Sequence, residues 1–112
     1  MKKKIDEVTE EVANCSIFKT MELFQSKWNM WILYELGKNE NMRFSELQRA
    51  IPNISKTMLT SSLKYLEEHK LVNRVQFNNE VPLHVEYSAT DSAKALKKVY
   101  QAMSEWGDTY IQ

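Results

Sequence analysis

The sequence predicts a mainly α-helical domain with one small β-hairpin, on three observations. Only two Gly and two Pro stand in 112 residues, too few breakers for a turn-rich all-β fold. Apolar residues recur at helical spacing over most of the chain, from Ile17, Met21 and Phe24 to Met103, Trp106 and Tyr110. One stretch, residues 71–87, changes to strand-like patterning around a polar turn. A chain of this length is expected to form one domain around one core, and residues 1–112 are read as a single unit.

The elements follow in order. The first dozen residues are highly charged, with Ile5, Val8 and Val12 at helical spacing. A short amphipathic helix is expected over 17–25. Ser26 is the N-cap of the next helix, Lys27 to Leu36, with Gly37 as its C′ stop. Trp28, Met30, Trp31, Ile32, Leu33, Tyr34 and Leu36 make that helix apolar nearly all round, which predicts the central core helix. Ser45-Glu46-Leu47-Gln48 reads as a capping box opening a helix that carries Leu47, Ala50 and Ile51 and ends at Pro52. After Asn53-Ile54, Ser55 caps a helix to about Glu68. Two helices joined so closely form a helix-turn-helix. Strands are expected over Leu71–Phe77 and Leu83–Tyr87, with Asn78-Asn79-Glu80 as the turn. Thr90 then caps a last helix from Asp91 to the end. A helix-turn-helix followed at once by a two-stranded hairpin is a winged helix.

Composition excludes several functions. The 15 basic and 15 acidic residues cancel, so a general polyanion binder is not indicated. Charge is nonetheless segregated: residues 41–79 hold six basic and three acidic groups, an excess of +3, while both flanks are net acidic. One cysteine rules out a disulfide framework or a Cys-cluster zinc site. No Gly-rich phosphate loop, no usefully spaced carboxylate pair and no His/Glu metal motif is present, so neither an enzyme nor a metal or other cofactor is expected. No apolar run reaches the ~20 residues of a membrane span. The basic Met1–Lys4 opening is followed by acidic residues where a signal peptide needs an apolar stretch, and the chain reads as cytoplasmic.

The Ser55–Glu68 helix is the natural nucleic-acid reader. On a helical wheel Lys56, Thr57, Thr60, Ser61 and Lys64 share one arc, and Met58, Leu59, Ser62, Leu63, Tyr65 and Leu66 occupy the other. Lysines and short hydroxyls suit phosphates and base edges in a major groove, and a helix N-terminus favours phosphate. The plainer reading is a solvated face on an ordinary amphipathic helix; the hairpin behind it favours DNA. Arg74 on the first wing strand, His84 on the second and Arg43 before the Ser45 helix are further phosphate candidates. His84 reads equally well as an exposed strand residue, and His69 as the C-terminal cap of its helix.

Leu96, Val99, Met103, Trp106 and Tyr110 follow one another at spacings of 3, 4, 3 and 4, an a/d seam that Tyr100 and Ala93 widen. Together with Ile17 and Met21 of the first amphipathic helix, this predicts a two-fold homodimer. Cys15 lies just before that helix. It reads either as a small packing residue at the dimer seam or as a thiol activated near a helix start, with Lys19 one turn on.

Several blocks resemble one family. Lys27-Trp28, Ile32-Leu33-Tyr34-Glu35-Leu36, Arg43-Phe44-Ser45-Glu46-Leu47, the stretch Ile51-Pro52-Asn53-Ile54-Ser55-Lys56-Thr57-Met58-Leu59-Thr60, Leu71-Val72 and Val85-Glu86-Tyr87-Ser88 with Thr90 are similar, in order, to the HxlR family of bacterial transcriptional regulators. These are MarR-like winged-helix proteins, and the resemblance runs from about residue 15 to 107. It implies a homodimer on a pseudo-palindromic operator, most often a repressor, with terminal helices making the dimer. It also implies oxidant or electrophile sensing in some members through the cysteine matching Cys15. The chain departs from the pattern at Ser16 (usually Pro), at Gln25-Ser26 (a Gly-rich joint), at Leu83-His84 (Pro then Arg or Lys) and at Ala93 (often Gly). The competing reading is a winged-helix module that docks protein without binding DNA.

Overall fold

The structure, a computed structural model, describes residues 16–79 and 81–111. Cys15, with both readings of it, lies outside the described residues, as does the segment carrying Ile5, Val8 and Val12. Helices α1 (Ser16–Leu23), α2 (Lys27–Lys38), α3 (Phe44–Ala50) and α4 (Lys56–Glu68) come first. Strands β1 (Val72–Phe77) and β2 (His84–Ala89) form one antiparallel hairpin, and α5 (Asp91–Lys94) and α6 (Lys97–Tyr110) close the order. This is the winged helix that the sequence predicts.

The core is built by α2, α3 and α4. Ile32, Leu33 and Leu36 of α2 meet Leu47 and its neighbour Ile51, and Leu59, Leu63 and Leu66 of α4 close over them. Val72, Ala89 and Ala93 seal the side where the hairpin leaves. Asn29 is buried in α2, and its side-chain amide donates to the carbonyl of Leu23 at 3.1 Å, fixing the end of α1 to the central helix. The predicted all-round burial of α2 is not found: Trp31 and Tyr34 stay exposed on its outer side. Those rings instead lean on other aromatics, Trp31 on Trp28 at 6.2 Å and Tyr34 edge-on to Tyr100 at 5.8 Å.

Several helix ends differ from expectation, each for a local reason. Helix α1 starts at Ser16 and stops at Leu23, short of the expected 25, because Phe24 and Gln25 N–H bond back three residues to the Met21 (3.0 Å) and Glu22 (3.2 Å) carbonyls. Ser26 caps α2 as predicted, its hydroxyl accepting from the Trp28 N–H at 3.2 Å. Gly37 does not stop that helix, which runs on to Lys38. Asn39 ends it, because both its backbone N–H (3.2 Å) and its side-chain amide (2.9 Å) donate to the Glu35 carbonyl. Helix α3 begins at Phe44, with Arg43 and not Ser45 at the N-cap. The Glu46 carboxylate reaches back to accept from the Arg43 N–H at 2.8 Å. The cap moves upstream because Met42 is already committed to the wing: it exchanges two backbone hydrogen bonds with Tyr87, at 2.9 and 2.8 Å. The last helix is not continuous. At Ala95–Leu96 the bonding tightens to three-residue steps, Leu96 N–H to the Ala93 carbonyl and Val99 N–H to the Leu96 carbonyl, which divides α5 from α6.

The turn between α3 and α4 uses Asn53 at φ 67°, a left-handed conformation that asparagine tolerates better than most residues. Ser55 then caps α4, accepting from the Met58 N–H at 3.1 Å. The far end of α4 closes as a Schellman motif. Leu71 N–H bonds to the Leu66 carbonyl (2.9 Å) and Lys70 N–H to the Glu67 carbonyl (3.0 Å), with Lys70 left-handed at φ 60°. His69 adds the expected cap, its Nδ1 bonded to the Tyr65 carbonyl at 2.8 Å. Because Leu71 closes the helix, β1 starts at Val72. Thr90 fastens the hairpin's exit: its hydroxyl donates to the Lys70 carbonyl (2.9 Å) and accepts from the Ala93 N–H (3.3 Å).

Candidate nucleic-acid interface

Helix α4 buries Leu59, Ser62, Leu63 and Leu66. That choice of stripe turns Lys56, Thr57, Thr60, Ser61 and Lys64 outward, and all five are exposed, as is their N-cap Ser55. Lys56, Thr60 and Lys64 are four residues apart and so run in one row. At 1.5 Å per residue the two lysines are about 12 Å apart along the axis, close to the ~12 Å width of a DNA major groove. Met58 does not join the core arc as expected; it is 40% exposed, outside the stripe of Leu59, Ser62, Leu63 and Leu66 that the helix buries. The exposed face is therefore cationic and hydroxylic with one thioether beside it, and Glu67 and Glu68 are confined to the last turn.

The wing frames this helix through two constraints. Its strands pair in register from Val72↔Ala89 to Phe77↔His84, and the Met42–Tyr87 bridge pins β2 to the segment entering α3. Arg43, at the start of α3, is exposed and is held beside that bridge. Arg74 is exposed and faces the same side as Gln76: its guanidinium donates to the Gln76 side-chain oxygen at 3.3 Å, and the Gln76 amide donates to Asn78 at 2.9 Å. This polar row along β1 extends the cationic candidate by two amides that sequence reasoning missed; the available signal was the alternation Arg74, Gln76, Asn78.

His84 is placed differently. The pleat sets it on the opposite face of the hairpin from Arg74. Its Nε2 lies 2.7 Å from the Glu86 carboxylate, and its ring packs 4.7 Å from that of Phe77. A phosphate reaching His84 must compete with a carboxylate already in contact. The structure thus brings Ser55, Lys56, Thr57, Thr60, Ser61 and Lys64 together, keeps Arg74 on the wing beside them in sequence order, and separates His84 from Arg74. The spacing of His84 and Glu86, two apart on one strand face, was the legible sign of that pair.

A second surface involves the terminal helices. Neither α1 nor α6 buries a single residue completely. Ile17 is 64% exposed, Met21 55%, Met103 48% and Trp106 58%, with Val99 and Tyr110 also open. Ile17, Met21, Val99 and Met103 line one shallow groove of about 500 Å³ with Phe24 and Met30. Leu96 leaves the seam: it packs against the chain's own core, as Ala93 and Tyr100 do, because α5 folds back onto α2. The seam therefore begins at Val99, and its widening by Ala93 and Tyr100 is not found.

Residues 23–112 match the HxlR-like helix-turn-helix family. The chain belongs to that family. This HxlR-like chain is 42% identical over 88 residues to the HTH-type transcriptional regulator YdzF of Bacillus subtilis, covering 79% of this chain and 80% of that one. Its fold is similar to the reduced form of the transcriptional regulator YodB from B. subtilis, with TM-score 0.77 and 33% identity over 88% of this chain and 95% of that one. It is similar also to the redox regulator HypR in its oxidized form, with TM-score 0.75 and 32% identity over 88% and 99% of the two chains. The HxlR-like chain is thus a DNA-binding transcriptional regulator of helix-turn-helix type with a MarR-like winged-helix fold. Among its described residues no helix is long and apolar enough to cross a membrane, and no cluster of three or more potential metal ligands occurs.

Proposed function

We propose that this regulator is a cytoplasmic homodimer that reads a pseudo-palindromic DNA operator, repressing where that operator overlaps a promoter, and that residues 1–112 act as one winged-helix unit. The observation that carries this reading is the exposed Lys56/Thr60/Lys64 row on a helix whose other face is core. In it Lys56, Lys64, Arg43 and Arg74 hold phosphates, while Ser55, Thr57, Thr60 and Ser61 lie against base edges and the adjoining backbone. His84 takes part only if DNA displaces Glu86.

Lys56→Ala or Lys64→Ala is expected to weaken binding to all duplexes alike and to flatten the salt dependence by about one charge per site. Thr60→Ala is expected to erode discrimination by roughly 1–3 kcal/mol where it touches a base edge. Gel shifts at several salt concentrations check both. Unchanged affinity in all three variants refutes the groove assignment and leaves the protein-docking module in its place.

A redox response belongs to the same proposal. The related structures include diamide-treated and quinone-bound YodB and oxidized HypR. Cys15, the one cysteine in the chain, directly precedes Ser16, the first residue of α1, and α1 carries Ile17 and Met21 of the dimer face. With no second cysteine in the chain, oxidation gives a sulfenic acid, a mixed disulfide with a small thiol, or a bridge to the partner subunit. Diamide is expected to release operator from the wild type and not from Cys15→Ser, read by gel shift. Equal responses make Cys15 a packing residue.

A further inference from the structure

The helix-turn-helix leaves one large apolar side chain open. Met58 is 40% exposed, and no other large hydrophobic of α3 or α4 is exposed. It belongs neither to the core cluster nor to the partly buried side chains packed against that cluster, a set that includes Phe44 and Tyr65 of the same two helices. Core packing thus uses the other large apolar residues of α3 and α4 and leaves Met58 out.

Its place on α4 is set by the cap. The Met58 N–H donates to the Ser55 hydroxyl at 3.1 Å, so Met58 is the third residue of the helix and stands in its first turn. Helical side chains lean toward the N-terminus of their helix. The thioether therefore extends toward the end whose residues touch base edges in helix-turn-helix proteins. Its neighbours there are exposed hydroxyls: Thr57 precedes it, and Ser61, three positions on, lies beside it. The major-groove edges of the four bases present hydrogen-bond donors and acceptors and a single apolar group, the C5-methyl of thymine. Lysines and hydroxyls answer the polar groups. A methionine, flexible and polarisable, answers the methyl.

We propose that Met58 is a specificity-determining residue that packs its thioether on the C5-methyl of a thymine in each half-site. This rests on the groove reading of α4 and adds a base identity to it, a thymine beneath the first turn of the helix.

The test uses the full chain and a duplex that the wild type selects from an unmethylated random pool, in which thymine alone carries a C5-methyl. Each thymine is replaced in turn by deoxyuridine, which removes the methyl and keeps every hydrogen-bonding group. One thymine per half-site is expected to stand out, its replacement weakening binding about fourfold, the worth of one buried methyl. Met58→Ala is expected to bind thymine and deoxyuridine equally at that position. Its urea unfolding is expected to match wild type, because the side chain is exposed and the cap uses only its backbone. Thr60→Ala is expected to keep the wild-type ratio there. Full thymine preference in Met58→Ala overturns the proposal and gives the methyl contact to Thr57 or Thr60. Indifference of the wild type to every deoxyuridine also overturns it, while the groove reading stands wherever Lys56→Ala and Lys64→Ala still weaken binding. If those lysine variants bind as the wild type does, both readings fall together.

Discussion

Met103→Asp is expected to leave the protein folded but monomeric at micromolar concentration, and to cut operator affinity on the order of 10²–10⁴-fold, the usual loss when two linked sites become one. Met103 is 48% exposed in the single chain, so an aspartate there meets water in the monomer and disturbs little. In a dimer the same position lies in an apolar groove with Ile17, Met21 and Val99, where an unpaired carboxylate is strongly penalised. A helix of 14 residues with no buried position is marginal in water, and α6 is such a helix. Sedimentation, circular dichroism and gel shift together read the result. A wild type that sediments as a monomer refutes the dimer before any variant is made.

Leu59→Ala is expected to cost about 2–5 kcal/mol of stability, a large share of the roughly 5–15 kcal/mol that holds a domain of this kind together. Leu59 is 0% exposed and belongs to the core cluster to which α2, α3 and α4 all contribute. The next residue, Thr60, is exposed. Thr60→Ala is therefore expected to leave urea unfolding nearly unchanged while altering DNA discrimination. Adjacent positions that separate stability from recognition test the wheel assignment directly; a Thr60→Ala variant as unstable as Leu59→Ala defeats it.

Much of this was legible from residues alone, and the reason is locality. The Ser26, Ser55 and Thr90 caps, the His69 C-cap, the α3–α4 turn and the hairpin all depend on groups a few positions apart, so their types and spacing carry the signal. The outward Lys/Thr/Ser face of α4 follows from the same periodicity, since burying Leu59, Leu63 and Leu66 leaves it only one direction to face.

What the tertiary structure decided involves partners distant in the chain. Met42 pairs with Tyr87 across 45 positions, and that pairing moved the α3 cap from Ser45 to Arg43. The docking of α5 on α2 took Leu96, Ala93 and Tyr100 out of the predicted seam, since an a/d spacing states that a face is apolar and not which surface covers it. The hairpin register put His84 against Glu86 and away from Arg74. Local pattern determined the winged helix and its reading face, because capping and periodicity are short-range physics. Which apolar residues remain open at the surface was fixed only when the chain had packed against itself.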